Sequence, residues 1–173
     1  DSLDMTSFSK AIEDVISGGE PTMTVEEANA MVQKYMAAQQ AKKYEDIINE
    51  GKEFLATNGA REEVTTTASG LQYEVLTEGT GAMPTASDRV TVHYTGKLIS
   101  GKVFDSSVER GQPATFGVTQ VIGGWTEALQ LMKEGAKYRL YIPYDLAYGE
   151  RGAGQDIPPY ATLIFDVELL SIQ

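Results

Sequence analysis

From Thr24 to Asn58 the chain contains no proline and one glycine, Gly51, and beyond about residue 60 its apolar residues stop recurring at helical spacing and begin to alternate. One element cannot satisfy both periods, because side chains share a face every 3.6 residues on a helix and every two on a strand. The chain therefore divides into an all-helical N-terminal part and a strand-rich C-terminal part.

In the helical part, Phe8, Ile12, Val15 and Ile16 predict a short first helix, stopped by Gly18-Gly19 and Pro21. Thr24-Val25-Glu26-Glu27 has the form of a capping box, so a second helix starts there. With no strong breaker before Asn58-Gly59, it spans about 35 residues and about 50 Å at 1.5 Å per residue. Its apolar residues form two stripes: Val25, Ala28, Val32 and Tyr35, then Ala37, Ala41, Tyr44, Ile48, Gly51 and Leu55. The second stripe reads as a packing seam. Two covers for it stay open, a second copy of the chain or the C-terminal domain folded back upon it.

The boundary belongs in R-E-E-V-T-T-T-A-S-G (61–70), which loses helical periodicity and gathers small polar residues. Residues 1–60 are thus expected to be a helical region, 61–70 a linker or first edge strand, and 71–173 a separate domain. Within that domain Leu71 to Leu76, Arg89 to Leu98, Val103-Phe104, Thr115 to Val118, Tyr138 to Ile142 and Thr162 to Ile172 predict strands, and Ser100-Gly101 a hairpin turn. One short helix, about Thr126 to Met132, interrupts them. Antiparallel strands with a single helix imply an α+β domain whose curved sheet wraps the helix.

Charge and side-chain chemistry remove several functions. Fourteen basic against 25 acidic residues give a net charge of -11, and neither part offers the basic surface that nucleic acid requires. No run of about 18 apolar residues exists to span a membrane. With no cysteine and one histidine, His93, the chain is expected to hold no thiolate or multi-histidine metal site and no disulfide, and no cofactor is expected either. None of the serines sits in a G-x-S-x-G elbow, and Gly149-Glu150-Arg151-Gly152-Ala153-Gly154 lacks the order of a dinucleotide-binding loop, so it reads as a flexible loop.

Aromatic residues gather near glycines and turns: Tyr94, Phe104, Phe116, Trp125, Tyr148 and Phe165. Taken singly, each is an ordinary core residue. Grouped with Asp105, Val121 and Ile122, they suit an apolar pocket with a few polar groups, the general form of a small-ligand site.

The segments V-H-Y-T-G (92–96), G-K-V-F-D-S-S (101–107), V-I-G-G-W (121–125), L-A-Y-G (146–149) and I-P-P-Y-A-T-L-I-F-D-V-E-L (157–169) together resemble the FK506-binding family of peptidyl-prolyl cis-trans isomerases, over about residues 70–172. The resemblance implies a five- or six-stranded antiparallel sheet curved around a short helix. It also implies that Trp125 floors a proline-receiving pocket walled by Tyr94, Phe104, Val121, Ile122, Tyr148 and Phe165. Asp105 corresponds to the acidic residue beside that pocket, Arg110 to a basic residue orienting Asp105 and Tyr94, and Ile157 to a ligand-binding backbone amide. Asp105 has two open roles, an electrostatic one on the substrate carbonyl or a structural one towards Tyr94 and Arg110. Ala114 replaces a frequent aromatic, which implies a more open groove on that side. P-Y-D-L-A-Y-G (143–149) and R-G-Q-P-A-T-F (110–116) look most like the bacterial branch, which includes macrophage-infectivity-potentiator-like proteins with helical dimerisation regions.

The resulting expectation is a homodimeric proline isomerase acting with chaperone-like handling on proline-containing unfolded chains, and open to macrolides of the FK506 and rapamycin type. The alternative is a non-catalytic binder of proline-containing partners. The resemblance to that branch implies bacterial periplasm or envelope, with cytoplasm as the alternative; a start at Asp1 fits a removed secretory signal, although a cloned fragment would look the same.

Overall fold

The computed structural model describes residues 24–173; the first expected helix lies outside them. Chain contacts divide into two compact units, Asp1–Asp46 and Ile47–Gln173. Helix α1 (Val25–Gly59) begins on the capping box expected for it. The Thr24 amide donates to Glu27 Oε2 at 2.8 Å, and the Glu27 amide donates to Thr24 Oγ1 at 3.2 Å. That bonding holds the Glu27 carboxyl below its ordinary pKa. In the first unit Val32, Tyr35 and Met36 are exposed on α1.

The second unit is an antiparallel sheet of seven strands: β1 (Val64–Thr66), β2 (Gln72–Thr77), β3 (Arg89–Leu98), β4 (Val103–Ser106), β5 (Ala114–Gly117), β6 (Lys137–Ile142) and β7 (Leu163–Ile172). Their order is β1-β2-β6-β7-β3-β4, with β5 also paired to β3. Strand β3 carries β5 along its first half and β4 along its second, opposite β7. This sharing brings residues from four strands around Tyr94.

Helix α2 (Gly123–Leu129) packs against the sheet, where Trp125, Ala128 and Leu129 join Leu71, Val90, Val92, Leu140, Ile142, Leu163, Val167 and Leu169 in the core. It starts and ends three residues earlier than the period predicts. A Cβ on Gly124 would meet Ile142 Cγ2 at 2.5 Å, so the glycine is what lets the helix touch β6. Strand β4 likewise continues through Asp105 to Ser106, two turn-forming residues, because the Ser106 hydroxyl pairs with Thr95 Oγ1 across the ladder at 2.8 Å.

Within the second unit the last turns of α1 pack on a separate apolar cluster: Phe54 and Leu55 lie against Val64, Tyr141 and Ile164. Gly51, buried, would carry its Cβ 2.5 Å from Thr162 Oγ1, so the lower end of the second stripe is covered by the chain's own sheet. Polar bonds complete the joint. Asn58 Nδ2 donates to Gln72 Oε1 at 2.9 Å, Gln72 Nε2 donates to the Leu55 carbonyl at 2.8 Å, and Arg61 reaches Tyr141 Oη at 3.0 Å and Glu74 at 3.2 Å.

Candidate functional site

Alternation along β3 turns Val90, Val92, Tyr94 and Gly96 inward, and its partners set the remaining walls. Gly96 pairs with Asp105 on β4 and with Phe165 on β7, while Val90 pairs with Phe116 on β5. The N-terminus of α2 inserts Trp125 among them. Its indole makes edge-on contacts with Tyr94 (5.2 Å between ring centres, 84°), Phe116 (5.8 Å, 90°) and Phe165 (5.3 Å, 84°). Edge-on packing of this kind is the arrangement that aromatic quadrupoles favour.

These rings line a concave cavity of about 650 Å³ with Phe104, Asp105, Val121, Ile122, Tyr148 and Ile157. A volume in this range suits a small molecule or a few residues of peptide. Trp125 is 4% exposed and its Nε1 has no hydrogen-bond partner among the described residues. An unsatisfied buried donor costs about 1–3 kcal/mol and is tolerated mainly at functional sites.

Polar groups occupy the rim. The Tyr94 hydroxyl donates to Asp105 Oδ2 at 2.5 Å, Arg110 Nη1 donates to Asp105 Oδ1, and Arg110 Nη2 donates to Tyr94 Oη at 3.1 Å. The Arg110 guanidinium also stands 5.7 Å from the Tyr94 ring centre. Burial opposes the charged form of Asp105, but the bonds from Tyr94 and Arg110 outweigh it and hold the carboxyl below its ordinary pKa. Burial, then the bond to Asp105, raises the Tyr94 phenol. Tyr148 is raised chiefly by burial, and its hydroxyl makes no hydrogen bond among the described residues. It is a free donor at the rim.

The segment Gly149 to Gly154, expected to be a flexible loop, runs into a miniature hairpin closed between Ala153 and Ile157. Ala153 and Ile157 exchange backbone bonds of 2.9 and 3.1 Å, and Lys102 on the β3–β4 turn grips Asp156 at 2.7 Å. Gly149, Gly152 and Gly154, at φ of +60°, +66° and +56°, supply the left-handed backbone it needs. Ala153, Gly154, Gln155 and Asp156 line the cavity from this side.

Every side chain named from the sequence as wall or floor lies on this cavity. One expectation is corrected. The Ile157 amide donates to the Ala153 carbonyl, so it is not available to a ligand. The Ile122 amide instead has no partner among the described residues and stands at the start of α2, a place where helical amides are left unsatisfied. Ala114 packs against the core and is not among the residues that line the cavity. The four hairpin residues had no motif to announce them, since their position depends on a pairing between Ala153 and Ile157.

A family profile described as "FKBP-type peptidyl-prolyl cis-trans isomerase" matches residues 81–170, and one described as "Domain amino terminal to FKBP-type peptidyl-prolyl isomerase" matches residues 1–75. The chain is 49% identical over 164 residues to the FKBP-type 22 kDa peptidyl-prolyl cis-trans isomerase of Escherichia coli K12, covering 93% of this chain and 80% of that protein. It is 45% identical over 173 residues to the outer membrane protein MIP of Legionella longbeachae, covering 96% and 74%. The crystal structure of FkpA from Escherichia coli superposes with a TM-score of 0.76 at 37% identity, over 100% of this chain and 84% of that one. The chain spans between about two thirds and four fifths of the length of three curated relatives it matches.

Proposed function

This chain belongs to the FKBP-type peptidyl-prolyl cis-trans isomerase family, and from that premise we propose that its cavity is the proline cup in which X-Pro bonds of client polypeptides are turned. The uncatalysed amide faces a barrier of about 18–20 kcal/mol and exchanges over tens of seconds or longer. No covalent bond has to form or break. A twisted amide has lost resonance and charge separation, so a water-poor aromatic cup favours it over the planar ground state. Tyr148, through its hydroxyl, and the Ile122 amide are the donors that hold the carbonyls flanking the proline. Both oxygens of Asp105 are already engaged by Tyr94 and Arg110, so we assign it a positioning role towards the Tyr94 wall. Each ~1.4 kcal/mol of preference for the twisted form is a factor of ten in rate.

The observation that carries this is the indole of Trp125, packed edge-on by three rings at an open apolar cavity while itself nearly out of solvent. FK506-type macrolides are the small molecules suited to the same cup. We further propose that the N-terminal unit joins two copies, supported by the match of residues 1–75 to the amino-terminal domain of such isomerases and by exposed Val32, Tyr35 and Met36. Two cups on one dimer raise avidity for a client with several prolines, which suits chaperone-like handling. A cell-envelope location is supported by similarity to a protein named for the outer membrane; among the described residues no helix is long and apolar enough to cross a membrane.

Magnetisation-exchange NMR on a proline-containing peptide tests the catalytic reading: catalytic amounts of protein speed cis-trans exchange if it holds, and binding without faster exchange supports a non-catalytic binder. Sedimentation tests the dimer: the full chain runs as a dimer and residues 47–173 as a monomer, whereas a monomeric full chain refutes it.

A further inference from the structure

Gly96 closes the V-H-Y-T-G segment and follows Tyr94 on the inward face of β3. Its φ lies outside the left-handed region, so backbone conformation does not demand a glycine. Space does. A Cβ built there would stand 2.6 Å from Phe165 Cε1 and 2.7 Å from both Phe104 Cε2 and Phe104 Cζ, closer than carbon atoms approach without displacement. Those two rings meet edge to face at 5.5 Å and both line the cavity. Phe165 also contacts Trp125 at 5.3 Å, so it cannot retreat that way without moving the floor.

We propose that Gly96 is a positioning residue that sets the width of the cup: its missing side chain is the space into which Phe104 and Phe165 fold back, leaving room for a proline ring in front of them. Ladder partners fix the rings at their roots, since Gly96 pairs with Phe165 itself and with Asp105, the neighbour of Phe104. A methyl group at 96 has sheet on its own side and ring on the other. The rings are the movable part, and they move into the cavity. Narrowing of this kind acts on the fit of proline more than on the rim donors, so it weakens substrate binding before it weakens turnover. The inference rests on the cavity being the proline cup.

The test is Gly96→Ala in the full chain, with kcat and KM taken from prolyl-peptide exchange and the emission of Trp125, the chain's one tryptophan, followed during peptide titration. Overpacking a close-fitted cluster by one methyl predicts about a tenfold loss of kcat/KM, carried mainly by KM. The same substitution is made in Phe104→Leu and, separately, Phe165→Leu backgrounds, where ring atoms facing Cβ are gone. The factor lost to the methyl shrinks at least threefold, by estimate, in both backgrounds if Gly96 acts through the rings. Wild-type-like KM in G96A overturns the inference. So does an equal loss in the truncated backgrounds, or a double variant that fails to fold, because the methyl then meets something other than the rings. Failure of the wild-type chain to accelerate exchange would instead remove the proline-cup reading itself.

Discussion

Replacing Tyr141 by phenylalanine separates the joint at the end of α1 from the chemistry of the cup. The Tyr141 hydroxyl accepts from Arg61 and donates to Glu74 Oε2, each at 3.0 Å, while its ring packs 5.9 Å from Phe54. Tyr141→Phe keeps the ring and deletes only the hydroxyl. Hydrogen bonds to charged partners contribute roughly 1.5–3 kcal/mol each when fully formed in a protein. Here Arg61 and Glu74 retain each other at 3.2 Å, and Arg61, 42% exposed, turns readily to water. The expected loss for the Tyr141 hydroxyl is therefore at the low end, about 1.5–2 kcal/mol in all. For a unit the size of Ile47–Gln173 that corresponds to a fall in Tm of about 6–8 °C. Urea unfolding followed by Trp125 emission measures it, with an unchanged m-value as the sign that only stability has moved. Prolyl-peptide exchange at 25 °C stays within about twofold of wild type, because Tyr141 belongs to the second apolar cluster and does not line the cavity. A Tm shift below about 1 °C would show that the joint is surface decoration. Loss of exchange in proportion to stability would show that it reaches the cup.

Asp105→Asn leaves an acceptor for Tyr94 but removes the charge that Arg110 meets, so kcat/KM falls about three- to tenfold in the exchange assay. A loss beyond a hundredfold would mean that the carboxylate acts on the substrate directly. Because Asp105 is held below the ordinary aspartate pKa, the stability it lends is complete above the unfolded value of about 3.9 and is lost as pH falls through the lower folded value. Tyr94 and Tyr148 are raised instead, so their contribution is complete below about 10 and is lost only as pH rises beyond it. A pH–rate profile governed by these groups is flat from about pH 5 to 9, and a break near neutrality contradicts it. Gly152→Ala strains a left-handed residue and drives a Cβ into the Ile157 carbonyl oxygen, so it unpairs the hairpin and raises KM for bulky peptides more than for short ones. Equal effects on both would exclude the hairpin from client selection.

Where local signals suffice, the sequence carried the fold. Thr24 and Glu27 announce their capping box because it needs only four consecutive residues, and Arg89–Leu98 announces β3 because one face is core throughout. Helix α2 was displaced because Gly123-Gly124 has the composition of a turn, and only the approach of Ile142 explains why a helix tolerates it. The aromatic lining was legible from its motifs. The backbone donor at the rim was not: the engagement of the Ile157 amide depends on a bridge to Ala153 formed by glycine-permitted backbone. Least visible was the joint of Arg61, Glu74 and Tyr141, whose members lie up to 80 positions apart and look like ordinary surface and sheet residues when read singly.

Trp125→Ala, compared with the intact chain at equal protein concentration in cis-trans exchange of a prolyl peptide, tests the role of the cup most directly. With the floor removed the cavity admits water beneath the proline, and acceleration falls at least a hundredfold while circular dichroism reports the same sheet. Undiminished exchange in that variant would mean that proline is turned somewhere other than over this indole.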